Sequence, residues 1–306
     1  MERSAFLERL KKVEQIASSS KLSRLLHDPY KYLHAILFRK LVYSKSKREK
    51  VLNTPVFFNG EMQIALPAST DIYLTGGKSH DSEIRLARFL INHANEGDDF
   101  LDIGAHYGYF SLLAATLTGK GTVYSFEPSP KTFAILKVNA GKHANVQCFQ
   151  EAVSDTTVPL TFYEFPNLYS EYNAMNVDQF SDKDWFEASK PRQITVNSNT
   201  IDTITASGFR PQLIKIDVEG AELKVIAGGR SYLSANNPYV MMEYLEAQRD
   251  NSEHNKAAAL LVELGYAALY INKQGMPVMF RDINEYFKNS QLESDNIVFR
   301  KLATNH

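Results

Sequence analysis

The sequence has little cysteine, no long apolar run and almost no net charge, and each shortage narrows the class of protein. Cys148 is the single cysteine among 306 residues, so no disulfide can form within the chain. This is typical of a reducing compartment. No apolar stretch approaches the roughly 20 residues of a membrane-spanning helix. The charged opening MERSAFLERLKK also differs from a signal peptide. We therefore expect a cytoplasmic protein.

The formal net charge of -1 provides no general attraction to nucleic acid, and we predict no nucleic-acid partner. The charge is uneven, however. Residues 1–50 contain thirteen Lys and Arg against five Asp and Glu, a net +8, which leaves -9 for the remainder. This basic N-terminal extension reads as helical. One interpretation is peripheral contact with an anionic membrane surface. The other, which we favour, is packing on the domain with a solvated basic face.

From Phe100 onward the pattern predicts an α/β fold with a mainly parallel sheet. Helical stretches separate short runs that are rich in β-branched and aromatic residues. The runs are FLDIGA, TVYSFEP, VQCFQEAV, LIKIDVEG and YVMMEY, with AALYINK and NIVFRK as late strands that close the edge. Upstream, VFFNGEMQIALP predicts a hairpin that turns at Asn59-Gly60. Residues 51–306 are thus predicted to form one domain.

The interval between Asp155 and Leu213 is longer than a crossover needs. We predict an insertion over residues 156–211, in which VPLTFYEF and RQITVNS pair as a hairpin. The polar, aromatic-rich stretch between them is interpreted as a lid over the substrate. Its aromatics could stack on a sugar face or anchor the lid, and anchoring is favoured for most of them: Tyr169, Tyr172, Phe180, Trp185 and Phe186. Tyr172 and Trp185 are the two predicted to contact substrate.

The first strand of the sheet leads into a glycine turn at which a ligand could bind. Asp102 ends the strand, Gly104 follows in the turn, and Gly108 opens an apolar helix. Ligands of open α/β sheets bind at the carboxyl ends of strands. A dinucleotide fingerprint would require glycine where His106 and Tyr109 stand, so this pattern argues against nicotinamide cofactors. The anionic Asp102 suits a cationic ligand group such as an amino group.

The second and third strands supply further ligand contacts. Glu127 ends the second strand before Pro128, where an acidic residue can accept both hydroxyls of a ribose. Residues Glu151, Ala152 and Val153 end the third strand and could line an adenine pocket. A glycine turn followed by a ribose-binding acid indicates S-adenosylmethionine.

At this point the sequence resembles the FkbM-type methyltransferases over about residues 70–250. The resemblance lies in FLDIGAHYGYFSLLAA, VYSFEPSP, EAVSD and, most distinctively, LIKIDVEGAELKVIAGG. It implies a class I (Rossmann-like) seven-stranded sheet with helices on both faces. It also implies S-adenosylmethionine-dependent O-methylation of sugars or natural products. Glu83 matches an acidic residue common in the family, whereas His106 stands where the family usually has Asn. The predicted cofactor contacts are then Glu83, Asp102, Gly104, His106, Gly108, Glu127, Pro128, Glu151, Ala152 and Asp217.

The fourth strand carries charges on alternate residues, although a central parallel strand is buried on both faces. Asp217 is predicted to end this strand beside the point where the strand order reverses, next to the methyl group of the cofactor. We predict that it is either the base or an orienting group for the acceptor. Burying an unpaired charge costs several kcal/mol. Lys215 is therefore expected to neutralise Asp217, Asp102 or Glu243, and Glu219 is expected to face the acceptor.

Two other side chains are candidates for the site. His80 could be a general base, since its pKa suits proton transfer near neutrality, or only a surface residue at a helix N-cap. Glu243 ends the fifth strand and could reach the cleft to contact substrate, or pair with Lys215. Glu222 opens a helix and is interpreted as structural. No zinc-type spacing occurs, and no spacing supports a Mg²⁺ or Ca²⁺ site on Asp217, so no metal is predicted.

These observations predict an S-adenosylmethionine-dependent O-methyltransferase that acts on a sugar hydroxyl of a glycan or glycolipid. Two alternatives are a methyltransferase of a small natural product and a non-catalytic nucleoside-binding module. A nucleic-acid N-methyltransferase is disfavoured, because such enzymes resemble one another in an N/D-P-P-Y/F run where this chain has D-V-E-G.

Overall fold

The N-terminal extension is helical, as predicted. The computed structural model describes residues 3–177, 180, 183–246, 249 and 251–302. The extension comprises α1 (Arg3–Ser18), α2 (Lys21–His27), α3 (Pro29–Leu37), a π-helical segment (Phe38–Tyr43) and α4 (Ser44–Ser46). The side chains of Ser20 and Asp28 cap α2 and α3, which explains why the chain breaks there into short helices. In the part of the chain described, no helix combines the length and the apolarity needed to cross a bilayer.

A hairpin and two helices precede the main sheet. They are β1 (Lys50–Pro55), β2 (Glu61–Leu66), α5 (Thr70–Thr75) and α6 (Asp81–His93). The predicted turn is confirmed, since Asn59 and Gly60 have φ of 80° and 78°, a conformation that these residue types tolerate.

The first half of the domain alternates strands and helices as the sequence pattern predicts. Its elements are β3 (Asp99–Ile103), α7 (Tyr109–Thr118), β4 (Val123–Phe126), α8 (Pro130–Ala140) and β5 (Val146–Phe149). The short strand β6 (Ala152–Val153) comes next. The insertion then contains β7 (Leu160–Glu164), 3₁₀ helices at Asn167–Tyr172 and Glu187–Ser189, β8 (Arg192–Val196) and β9 (Ser198–Asn199). Strands β7 and β8 pair antiparallel, which confirms the inserted hairpin.

The second half contains helices α9 to α13 and strands β10 to β14. In chain order they are α9 (Ile201–Ala206), β10 (Pro211–Ile216), α10 (Glu222–Ala227), α11 (Arg230–Ala235), β11 (Tyr239–Leu245), α12 (Ser252–Glu263), β12 (Ala267–Ile271), β13 (Pro277–Met279), α13 (Ile283–Ser290) and β14 (Ser294–Arg300).

The central sheet has eight strands in the order β13-β12-β14-β11-β10-β3-β4-β5. From β11 to β5 all neighbours are parallel, and β14 runs antiparallel to both of its neighbours. Numbered in chain order, the seven predicted strands lie in the order 3-2-1-4-5-7-6 across the sheet. The first six keep the doubly wound Rossmann-like order, and the seventh, β14, lies between β11 and β12. The predicted class I fold is confirmed, and β13 adds a short eighth strand at the edge. The strand order reverses between β3 and β10.

Helices cover both faces of the sheet, and each face has its own apolar core. Side chains of α1, α6, α7 and α8 pack on one face, and those of α9 to α12 pack on the other. In β10, Leu213 belongs to the first core, whereas Ile214 and Ile216 belong to the second. Lys215 therefore points to the same face as Leu213, where its ammonium lies 5.4 Å from the centre of the Phe110 ring.

Candidate active site

A cavity of about 480 Å³ opens at the carboxyl ends of β3, β4, β10 and β11, where the strand order reverses. Parallel strands that end at one edge bring distant residues together there. Of the predicted site residues, the cavity is lined by His80, Glu83, Gly104, His106, Glu127, Pro128, Glu151, Ala152, Tyr172, Asp217, Glu219 and Glu243. Asp102, Gly108 and Trp185 do not line it.

The turn after β3 is shaped by close approach of two backbones. Gly104 has a φ of 80°, and a Cβ there would lie 1.8 Å from the carbonyl oxygen of Asp217. Only glycine fits such an approach. His106 also has a positive φ, of 49°, and its Nε2 lies 3.0 Å from the Ser170 hydroxyl. Burial lowers the pKa of His106 to about 4, so the imidazole is neutral near pH 7.

Glu127 ties the turn after β3 to the turn after β4. Its carboxylate accepts hydrogen bonds from the backbone N–H of His106 at 3.0 Å and of Ser129 at 2.9 Å. Each oxygen accepts one of these bonds and keeps a lone pair for a ligand hydroxyl. Burial raises the pKa of Glu127 to about 8. This geometry fits the ribose of a nucleoside cofactor.

Asp102 requires a correction. Its side chain is fully buried and faces α7 instead of the cavity, because Ser111 donates a hydrogen bond of 2.6 Å to Oδ2. Lys215 Nζ lies 3.8 Å from Oδ1. Asp102 is therefore an internal counter-charge, and the predicted contact with an amino group of the cofactor is not supported.

Gly108 and Trp185 lie outside the lining of the cavity, and their contacts with cofactor and substrate stay predictions. Gly108 precedes α7 with a φ of 88°, and a Cβ there would lie 2.7 Å from Leu136, so this glycine serves helix packing. Trp185 stacks on Tyr169 with ring centres 4.3 Å apart and on Tyr172 at 5.2 Å. It lies in a neighbouring groove and packs within the aromatic cluster of the insertion, whereas Tyr172 borders both the groove and the cavity.

The predicted charged strand is shorter than expected, since β10 ends at Ile216 and Asp217 and Glu219 follow it. An ion-pair chain explains how Lys215, the charged residue within β10, is buried. Lys215 is 3% exposed, and its Nζ lies 3.0 Å from Asp217 Oδ2 as well as 3.8 Å from Asp102. Burial alone would lower the pKa of Lys215, but Asp217 and Asp102 raise it above its usual value. The expected pairing with Asp217 and Asp102 is found. No pairing of Lys215 with Glu243 is found among the described side chains.

Three carboxylates converge at the ends of β10 and β11. One oxygen from each of Asp217, Glu219 and Glu243 lies within 4.8 Å of the other two. Burial, and then the charge of Asp217, raises the pKa of Glu243 to about 8. Burial, and then the charge of Glu243, raises the pKa of Glu219 well above its usual value. Both shifts favour the protonated form of these two carboxyls. The oxygens of the cluster are also the ligand type that Mg²⁺ and Ca²⁺ prefer, which no sequence spacing indicated.

His80 stands at the N-cap position of α6 and also borders the cavity, and its role as a general base stays a prediction. Its side chain is exposed, and its Nδ1 lies 2.8 Å from the Ser82 hydroxyl.

Sequence reasoning missed an ion-pair group that joins the insertion to α6. Lys78 Nζ lies 2.6 Å from Glu171 in the 3₁₀ helix Asn167–Tyr172 and 3.1 Å from Glu83. Asp71 borders the same cavity, and burial raises its pKa to about 7. No spacing links these residues, because they come from three separate segments.

The raised carboxyl pKa values predict that stability depends on pH. A carboxyl whose pKa is higher in the folded state than in the unfolded state stabilises the fold while it is protonated. That contribution is complete at a pH below the pKa of the unfolded state, and it is lost as the pH rises to the pKa of the folded state. For Glu127 and Glu243 this window runs from 4.5 to about 8. We expect the free energy of unfolding of the ligand-free protein to fall across it, by about 1.4 kcal/mol per pH unit for each group.

Urea denaturation at several pH values measures this slope. Glu243→Gln should give a shallower slope, and Glu96→Gln, which changes an exposed surface carboxylate, should keep that of the wild type. A wild-type stability that is constant from pH 5 to pH 8 would contradict the expectation.

The strand order, the glycine turn and the ribose-type acid together define a class I S-adenosylmethionine-dependent methyltransferase domain. The chain belongs to the FkbM family, since residues 102–268 match the family model described as a methyltransferase FkbM domain.

Relatives of this chain include methyltransferases from archaea and bacteria. It is 27% identical over 160 residues to the hexuronic acid methyltransferase AglP of Haloferax volcanii, with 51% of this chain and 59% of the relative covered. It is 26% identical over 188 residues to the 2-O-methyltransferase NoeI of Sinorhizobium fredii, with 58% and 75% covered. It is 31% identical over 175 residues to the 31-O-demethyl-FK506 methyltransferase FkbM of Streptomyces tacrolimicus, with 48% and 66% covered. The match thus spans under two thirds of AglP.

Among solved structures, the FkbM methyltransferase from Methylobacillus flagellatus superposes with a TM-score of 0.43 at 14% identity. That match covers 76% of this chain and 52% of the other.

Proposed function

We propose that the protein is an S-adenosylmethionine-dependent O-methyltransferase that acts on a sugar hydroxyl in a glycan or glycolipid. The observation that carries the proposal is the position of the Asp217, Glu219 and Glu243 carboxylates in the same cavity as Glu127. In this arrangement a ribose-binding acid and a candidate base would border one space. The names of the relatives, a hexuronic acid methyltransferase and a 2-O-methyltransferase, support a sugar-like acceptor.

The cofactor would lie across the ends of β3, β4 and β5. Glu127 would accept the ribose hydroxyls, and Glu151 and Ala152 would border the adenine. His106 and Pro128 would line the walls, and Glu83 would face the amino-acid part of the cofactor beside Lys78. When bound, S-adenosylmethionine supplies an electrophilic methyl group.

The residues of this chain would position the acceptor and manage its proton. The acceptor hydroxyl would receive the methyl group, S-adenosylhomocysteine would be the leaving group, and Asp217 or His80 would take the hydroxyl proton. The Lys215 ammonium balances the charge of Asp217 in the resting site. Glu219 and Glu243 would hydrogen-bond neighbouring sugar hydroxyls. Positioning and charge placement of this kind supply most of the catalysis in such transfers.

The first test is cofactor binding. S-adenosylhomocysteine should raise the melting temperature, because a ligand that binds only the native state stabilises it by about 2.7 kcal/mol at a hundredfold excess over Kd. Glu127→Ala should weaken binding by about 1.5–3 kcal/mol, since it loses charge-assisted hydrogen bonds to the ribose. Isothermal titration calorimetry measures the change.

Glu164→Gln is the matched control for that variant. Glu164 is a buried glutamate that accepts a hydrogen bond from Ser129, a residue that also contacts Glu127, but it does not line the cavity. The Glu164→Gln variant should bind S-adenosylhomocysteine with wild-type affinity. Unchanged affinity in Glu127→Ala would remove this residue from the cofactor site.

A second candidate function is methylation of a small natural product, which the resemblance to the FK506-modifying enzyme favours. A non-catalytic nucleoside-binding module is the third. Mass spectrometry of acceptors incubated with a methyl donor distinguishes them, since a methylated glycan supports the first proposal and no product with any acceptor supports the third.

Three predictions from the sequence stand as proposals about the whole protein. They are the absence of a nucleic-acid partner, a cytoplasmic location and, as the interpretation of residues 1–50 that the sequence favours less, peripheral contact with an anionic membrane. The division into residues 1–50 and 51–306 also stays a prediction.

A further inference from the structure

The second and third helices of the extension expose an unusual amount of apolar surface. We name the surface of α2, α3 and the π-helical segment, residues 21–43, the N-terminal apolar surface. Eight of the fifteen large apolar side chains that are exposed in the described chain belong to it. They are Leu22, Leu26, Tyr30, Leu33, Ile36, Leu37, Leu41 and Val42, between 37% and 78% exposed.

Packing on the domain accounts for α1 but not for this surface. Helix α1 buries Phe6, Leu10 and Val13 in the core that also contains α6. Helix α2 buries no residue, and α3 buries only Ala35. Concentrated apolar exposure of this kind marks a surface that contacts another body.

The charge of the segment indicates which kind of partner binds this surface. Residues 20–50 contain nine Lys and Arg against two Asp and Glu, a net +7. Lys21, Arg39 and Lys40 within residues 21–43, and Lys45 and Arg48 just after them, are exposed. A segment that exposes both apolar and basic side chains complements the acyl chains and headgroups of an anionic bilayer. A second copy of the chain would bring two such basic segments together and is disfavoured by like-charge repulsion.

We propose that the N-terminal apolar surface docks on an anionic lipid bilayer. Its apolar side chains enter the interfacial region, and the flanking Lys and Arg contact the lipid headgroups. The proposed membrane contact involves residues 21–43 and the basic residues next to them, a shorter segment than the residues 1–50 considered from the sequence. Membrane docking is a property separate from methyl transfer and does not depend on it.

Docking here would bring the cavity close to the membrane. The backbone N–H of Leu168 donates a hydrogen bond of 3.1 Å to the Tyr43 hydroxyl. Leu168 belongs to the 3₁₀ helix that contributes Ser170, Glu171 and Tyr172 to the cavity wall. The docking segment therefore adjoins the wall of the active site, so that an acceptor attached to a lipid could reach the cavity from the membrane.

The test is flotation of the full chain with vesicles. Wild type should float with vesicles of phosphatidylcholine and phosphatidylserine, should not float with phosphatidylcholine alone, and should be released by high salt, which screens the charges. Leu26→Asp/Leu41→Asp should reduce the bound fraction at least tenfold. The control Val138→Asp/Val262→Asp changes exposed apolar residues outside the surface and should float as wild type does.

Stability is followed on the same preparations, so that a misfolded variant is recognised. Each variant should keep the melting temperature of the wild type in the absence of vesicles. Failure of the wild type to float with anionic vesicles would overturn the proposal, as would equal flotation with neutral vesicles. Sedimentation that shows a wild-type dimer dissociated by Leu26→Asp/Leu41→Asp would assign the surface to a second copy instead. None of these results depends on detecting methyl transfer.

Discussion

Asp217→Asn is expected to lower kcat by about 10²–10⁴-fold, the usual contribution of general-base catalysis, with little change in cofactor affinity. Asp217 directly follows the central strand β10 and borders the cavity, and its carboxylate is 38% exposed. Asparagine keeps the size and most of the hydrogen-bonding capacity of the side chain but removes the charge. Stability should change little, since Lys215 keeps a second carboxylate partner in Asp102.

Measuring kcat and melting temperature on one preparation separates the two roles of Asp217. If Asp217 only balances Lys215, the variant should lose stability while the folded fraction turns over at the wild-type rate. His80→Asn provides the comparison, because a loss of kcat in that variant alone would assign the base to His80. A stable Asp217→Asn protein with full turnover would exclude both roles for the carboxylate.

Lys215→Met is expected to lower the free energy of unfolding by about 3–5 kcal/mol, the usual cost of breaking a buried ion pair by removing one partner. The cost arises because Asp102 is fully buried and would lose its counter-charge. Urea denaturation near pH 7 measures the loss.

The pH dependence of that loss identifies its cause. Burial already raises the pKa of Asp102, and removal of the ammonium would raise it further. The carboxyl then stabilises the fold only while protonated, so the difference from wild type should shrink as the pH falls and grow as the pH rises. The double variant Lys215→Met/Asp102→Asn should recover most of the lost stability. A single Lys215→Met variant as stable as wild type at pH 7 would contradict the ion-pair account.

The sequence by itself determined those features that depend on short-range periodicity and turn chemistry. Alternating apolar runs and helices predicted the parallel sheet, and Asn59-Gly60 predicted the hairpin turn. The position of Glu127 at a strand end placed it correctly at the cavity, since carboxyl ends of parallel strands share one edge. The alternation of charges in β10 likewise predicted that Lys215 pairs with acids on its own face.

The tertiary structure decided which side chains meet and which way each one points. Asp102 and Asp217 both follow apolar residues near a strand end, but only Asp217 reaches the cavity, because Ser111 of α7 holds Asp102 inside. Lys78 and Glu171 meet only because the insertion folds back onto the segment that precedes α6. The exposed apolar surface of residues 21–43 was also beyond the sequence, since apolar periodicity is the same whether a helix faces a core or a membrane. Contacts between segments that are distant in the chain depend on how the helices and the sheet pack against each other, and local sequence patterns do not predict them.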